Sequence, residues 1–170
     1  MKRLGILLLL LTAWFAAAQS SDQQSPAASG PEQQTTVFRP TPAETEAVYE
    51  AVARYQISSW QLNAHTFCFR LRGQDADKEF LNRLKPLPVK PESDCTQKDT
   101  KTFTMSIVDK RSKKSAVMFG LGSILWRSPT QAEVEGSYLC GSQCMAGGIY
   151  HAVLDGDHWT VTRFEVRISQ

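Results

Sequence analysis

The sequence predicts one α+β domain, with an N-terminal helix and a short second helix packed on a curved antiparallel β-sheet. Three observations predict it. A capped helical pattern opens at Thr41, a shorter one follows the first strand, and from Thr102 onward every apolar run reads as strand. No internal repeat is visible.

The 170-residue chain opens with MKRLGILLLLLTAWFAAAQS. Lys2 and Arg3 precede an apolar run from Leu4 to Phe15, and Ala16-x-Ala18 supplies small residues for cleavage. This is the pattern of an export signal over residues 1–18, and the apolar run is too short for a membrane span. Residues 19–40 are dominated by Gln, Ser, Ala and Pro and read as a disordered leader. The folded domain is expected over 41–170. Removing Lys2 and Arg3 from the 19 basic side chains leaves 17, which matches the 17 acidic ones. A mature chain so nearly neutral lacks the field that nucleic-acid binding requires, and it gains no stable membrane insertion once the signal is removed.

The first helix is set by TPAETEAVYEAVARYQ. Thr41 is a good N-cap, Pro42 suits the first helical position, and Glu44 closes a capping box. Val48, Ala51, Val52 and Tyr55 then form one apolar face. HTFCFRLRG alternates as a strand, with Phe67, Phe69 and Leu71 on the buried side and Thr66, Cys68, Arg70 and Arg72 on the other. DADKEFLNRL gives the short helix, capped by Asp75 or Asp77, with Phe80, Leu81 and Leu84 as its stripe. The prolines of KPLPVKPESDC stop that helix and return the chain as an extended loop.

Strands follow in FTMSIV, SAVMFGLGSILW, AEVEGSYL, GGIYHAVL and HWTVTRFEVRIS. The basic stretch DKRSKKS reads as a solvated turn between the first two. Gly120 and Gly122 mark a bend or a close backbone approach. In the last hairpin Asp155-Gly156 is the expected two-residue turn, which pairs Ala152 with Trp159 and Tyr150 with Val161. Tyr150, Ala152, Leu154, Trp159 and Val161 then share the core face. Phe164, Val166 and Ile168 have the opposite parity, so an extra residue is expected near Thr162-Arg163.

Four cysteines in an exported chain favour disulfides. The expected pairs are Cys68–Cys95, which closes the proline-rich return, and Cys140–Cys144, which fixes a local turn. Cys140 and Cys144 lack two-residue redox spacing and have no cationic neighbour to depress a thiol pKa. Zinc would need a fourth ligand beyond Cys140, Cys144 and His151. No catalytic set, cofactor motif or metal centre is expected. Trp126, His151 and His158 remain as ligand candidates. Trp126 ends an apolar strand, and the two histidines are expected as diagonal neighbours on the face opposite the core.

The segments FCFRLRGQDADKEFLNRLKP…ESDC and CGSQC…GG.Y…LDGDHWTV resemble a family of uncharacterised exported bacterial proteins. These carry a Cys-Gly-x-x-Cys pair and a terminal Trp-x-Val hairpin. The resemblance covers most of Tyr49 to Gln170 and implies no activity. The order of helix and curved sheet is similar, at the level of fold alone, to NTF2-like and cystatin-like cones.

The functional expectation is a secreted or periplasmic, disulfide-stabilised, non-catalytic binding or accessory domain whose partner is a protein or small molecule. One alternative is an NTF2-like pocket that carries a ligand or catalyses with His151, His158 or an acidic residue. Another is an inhibitor or immunity protein for an envelope enzyme. A hollow or a filled concave sheet face separates the pocket protein from the binding domain.

Overall fold

The computed structural model describes residues 38–60, 64–99 and 105–169. The segment expected to be an export signal, and all of the expected leader but residues 38–40, lie outside the described residues. Two helices pack on a nine-stranded, open, mostly antiparallel sheet.

Helix α1 (Pro42–Ser58) begins as its residues dictate. The Glu44 amide donates to the Thr41 hydroxyl at 3.2 Å, and the Thr41 amide donates to the Glu44 carboxylate at 2.6 Å. Its buried face is broader than the expected one and turned from it: Val48, Tyr49, Val52, Ala53, Gln56 and Ile57 are buried. Ala51 is half-buried and Tyr55 is 36% exposed. The turn arises because Tyr49 reaches through the core to donate to the Gly122 carbonyl at 2.7 Å, which brings its side of the helix inward.

Strand β1 (Thr66–Leu71) leads through a turn of Arg72 and Gly73, both at positive φ, into the two-residue β2 (Gln74–Asp75). Helix α2 (Lys78–Arg83) is capped by Asp77, which accepts the Phe80 amide at 2.8 Å. Asp75 instead accepts the Ser93 amide. The proline-rich return is more structured than an extended loop. It contains β3 (Val89–Pro91), which runs parallel to β1, and a 3-10 turn over Glu92–Asp94. Then follow β4 (Cys95–Asp99), β5 (Met105–Asp109), β6 (Ala116–Ser128), β7 (Gln131–Gly141), β8 (Cys144–Asp155) and β9 (His158–Ser169).

β2 and β3 border one edge of β1, and the sheet continues from β1 through β6, β7 and β8 to β9. β5 meets β7 at Ser106 and Gly141 and carries β4 on its other side. β1 is parallel to β6, so the sheet is not wholly antiparallel. The intervening chain, from β2 to β5, forms the crossover that a parallel pair requires.

The side of the sheet that faces α1 is a continuous core. Val48, Val52 and Ile57 of the helix meet Phe67, Phe69, Phe119, Leu121 and Val134, with Phe80 and Leu84 from α2. The expectation that β1 buries only one face fails. Thr66, Phe67, Cys68 and Phe69 are all buried, because a second small core of Cys68, Cys95, Ile107 and Ala116 lies on the opposite side. Cys68 and Cys95 pair at bonding distance with Cα atoms 6.2 Å apart, and Cys140 pairs with Cys144 with Cα atoms 5.3 Å apart. Both Cα separations fall within the range that a disulfide spans.

The last hairpin turns at Gly156-Asp157, one residue later than expected. Gly156 adopts φ 64°, and the two-residue loop with glycine first suits the flanking strands. Moving a two-residue loop by one position changes each pairing by two, so every side chain keeps its face. Ala152 now faces Val161 and Tyr150 faces Phe164. Tyr150 and Ala152 are buried, Trp159 and Val161 pack at the core margin, and Leu154 is half-buried near the sheet end. Thr162 is the extra residue that brings Phe164 back to the core face, and Arg167 is a second one. Val166 and Ile168 beyond are 52% and 65% exposed.

Candidate functional site

Away from α1, alternate residues of β1, β6, β7, β8 and β9 form an open outer face. A trough of about 380 Å³ crosses it, with Arg70 and Arg167 at its margins and Glu135 and Ser137 on its wall. It runs on past Gly120 and Gly147 toward Met118, Leu139 and Met145, over a further 300 Å³ or so. Small residues make it deep. At Gly120 a Cβ would come within 2.8 Å of the Ser137 hydroxyl, and β6 bulges immediately afterwards between Leu121 and Ile124. The bend expected of Gly120 and Gly122 therefore shapes the floor of the trough.

Ion pairs frame it. Arg70 lies 3.3 Å from Glu92, Arg167 lies 3.6 Å from Glu165, and the Ser123 hydroxyl donates to Glu135 at 2.9 Å. Farther along the same face Arg127 pairs with Glu133 at 2.8 Å, and this bond holds the Glu133 carboxyl below its usual range. The surface is therefore charged but balanced, a composition suited to a polar partner surface.

The two candidate histidines and Trp126 take separate places. His151 stands on the outer face between Glu165 at 3.2 Å and Glu133 at 3.7 Å. His158 pairs across the hairpin with Asp155, four residues along β8 from His151. The two imidazoles are therefore not the diagonal neighbours that the sequence suggested. Four residues of strand separate them by about 13 Å, because the turn lies one residue later. Trp126 is half-buried on the other side of the sheet, edge-on to Trp159 at 5.5 Å and tilted against Phe38 at 5.4 Å. It closes the end of the core.

Sequence reasoning missed two polar residues. Asp109, read as part of a solvated basic turn, has no exposed surface. One carboxylate oxygen pairs with Lys90, and the other accepts the amides of Arg111 at 2.9 Å and Ser112 at 2.6 Å. The Lys90 bond first, then the Ser112 amide, hold its carboxyl well below the usual carboxylate range. Its position three residues before Ser112, at the start of the turn, was the available signal, since Asp opens turns by accepting the following amides. Gln56 is the second. It is 2% exposed, and its side-chain nitrogen donates to the Tyr150 hydroxyl at 3.1 Å. Nothing in a helical stripe distinguishes a buried glutamine from a solvated one.

Among the described residues no cluster of three or more His, Cys, Asp or Glu is placed to hold a metal ion, and no helix is long and apolar enough to cross a membrane. No family model matches the chain, and no curated protein or solved structure matches it significantly. The disulfide-distance cysteine pairs and the sheet-rich α+β fold stand on the structure alone.

Proposed function

We propose that the chain is an exported, disulfide-stabilised, non-catalytic binding domain that engages its partner through the outer face of the sheet. The observation that carries this reading is the contrast between the two sides of the sheet. The side under α1 is filled by a continuous apolar core, while the outer face holds the open trough between Arg70 and Arg167. A carrier or enzyme of the enclosed-pocket kind needs a hollow interface there. The cysteine pairing supports an oxidising compartment, secreted or periplasmic, and the folded unit is taken as 41–170 after a signal over 1–18 and a leader over 19–40.

Gly147 gives the cleanest test. A Cβ there meets nothing closer than 3.8 Å, so Gly147→Arg fills the trough without disturbing the strands. Photo-crosslinking groups at Ser137 and Ile168, both on the trough, should trap one partner in wild-type cells and lose it with Gly147→Arg. Identical adducts from the variant would sink the proposal.

A further inference from the structure

Five residues on five neighbouring strands lie side by side across the trough. Arg70 on β1 is paired with Gly120 on β6, Gly120 with Ser137 on β7, Ser137 with Gly147 on β8, and Gly147 with Ile168 on β9. This row is the floor common to both parts of the trough. The two glycines and the serine leave the backbone almost bare between them, while the Arg70 side chain at one end is 47% exposed and Ile168 at the other is 65% exposed. Neighbouring strands lie about 4.8 Å apart, so the row is about 19 Å long, the length of about six extended residues.

Two donors converge on one point of that floor. The Ser137 hydroxyl lies 2.8 Å from where a Cβ of Gly120 would stand, and Nη2 of Arg70 lies 3.7 Å from the same point. Glu92 meets the guanidinium at Nε, 3.3 Å away, and so holds it in place at the margin. Beside this row lies an apolar one. Met118, Leu139 and Met145, all half-buried, line the trough two residues along their strands from Gly120, Ser137 and Gly147. We propose that the partner is engaged by its C-terminus. The terminal carboxylate of an extended polypeptide lies between Arg70 and Ser137, and an apolar last side chain packs on Met118, Leu139 and Met145. This rests on the reading of the outer face as the binding surface.

The spacing selects for a terminal residue. Two residues of strand separate the donors from the apolar row by about 7 Å, and a C-terminal residue carries both its carboxylate and its side chain on one Cα. An Asp or Glu side chain would bring a carboxylate with no apolar group beside it. A guanidinium and a hydroxyl suit the two oxygens of one carboxylate, and capture of a chain end in this way is a recurrent mode of peptide recognition. On the other flank the Ser123 hydroxyl donates to Glu135 at 2.9 Å and fixes a negative charge on the trough wall. That charge repels a second carboxylate, so polyanions are disfavoured. The preceding residues cross the bare backbone at Gly147 and leave past Ile168.

The test is selection from a random hexapeptide library on the disulfide-intact protein. One pool ends in free carboxylates and an otherwise identical pool in amides. The acid pool should be retained, with Leu, Ile, Val, Met or Phe enriched at the last position. The best peptide should bind with a dissociation constant of about 10–100 μM by fluorescence polarisation, and its amide at least ~10-fold more weakly. Arg70→Gln should weaken the acid at least ~10-fold and leave the amide unchanged, and Gly147→Arg should abolish binding of both. Equal retention of the two pools overturns the proposal, as does retention of neither. Full affinity of the acid in Arg70→Gln overturns it as well. If Arg70→Gln fails to fold, the comparison of acid and amide on the native protein still decides. Mapping the partner segment trapped from Ser137 and Ile168 separates the two readings. An internal segment, lost with Gly147→Arg, overturns C-terminal capture alone, whereas adducts that persist in Gly147→Arg overturn the binding surface itself.

Discussion

The two sides of the sheet are stabilised by different means. Under α1, large side chains from two helices and five strands interlock in one cluster, and the strands contribute almost no polar atoms to it. On the other side the buried set is small, with Cys68, Cys95, Ile107 and Ala116, and beside it the Lys90–Asp109 pair. There the chain relies on a covalent bond and a charge pair, because β4 and β5 bring few apolar residues. Packing is spread over many contacts and tolerates no single large loss. The covalent bond and the ion pair are each concentrated at one point, and each can be removed by one chemical change.

The largest effect is expected on the packed side. Phe69 is fully buried and meets Phe80 at 5.8 Å and Phe119 at 5.1 Å. Phe69→Ala should cost about 3–5 kcal/mol, and thermal unfolding should show a drop of roughly 10 °C or more. A drop of only a degree or two would mean that the apolar cluster does not carry the fold.

The disulfides come next, and they should be unequal. The chain-entropy model gives about 3.6 kcal/mol for the loop closed by Cys68–Cys95 and about 2 kcal/mol for Cys140–Cys144. Burial points the same way, since Cys68 and Cys95 are 0% and 3% exposed while Cys140 and Cys144 are half-buried at a hairpin turn. Changing Cys68 and Cys95 together to Ser should lower the melting temperature several degrees more than the matching change at Cys140 and Cys144. Equal losses would remove the distinction between the two bridges.

Acid should act chiefly on the ion-paired side. The folded-state pKa of Asp109 lies below its unfolded value, so its contribution is complete above about pH 4 and disappears as pH falls further toward the folded pKa. Melting temperature measured from pH 7 down to pH 2 should decline below pH 4, and Asp109→Asn should be less stable at pH 7 with a flatter acid limb. An unchanged limb would place the acid sensitivity elsewhere. The smallest effect belongs to His158, whose side chain is 83% exposed. His158→Ala should leave the unfolding free energy, read from thermal unfolding, within about 0.5 kcal/mol of wild type.

Local chemistry made much of this fold legible. The Thr41–Glu44 box fixes the start of α1 within four residues of sequence. The side-chain alternation of β8 and β9 assigns Tyr150, Ala152, Trp159 and Val161 to one face even with the turn misplaced, because strand parity survives a two-residue change of pairing. The extra residue at Thr162 was readable for the same reason. What stayed hidden depends on distant neighbours. Cys68 looked solvent-facing because Cys95 and Ile107, which cover it, come 27 and more residues later. The trough was foreshadowed only by Gly120 and Gly122, since its walls come from five strands. Gln56 and Asp109 are polar residues in polar-looking surroundings, and only tertiary packing removes their water.

The two extra residues in β9 have a consequence for self-association. Among the described residues β9 has one paired neighbour, β8, and its far side offers a row of free backbone donors and acceptors over His158–Ser169. A straight strand of that length with Phe164, Val166 and Ile168 would be a template for fibre growth. The kinks at Thr162 and Arg167 divide the edge into two uninterrupted stretches of four residues, His158–Val161 and Arg163–Val166, and the second carries two charged side chains. An incoming strand can therefore match this edge over little more than one turn's width before its hydrogen bonds fall out of step, so the rim of the sheet can stay bare in solution without recruiting copies of itself.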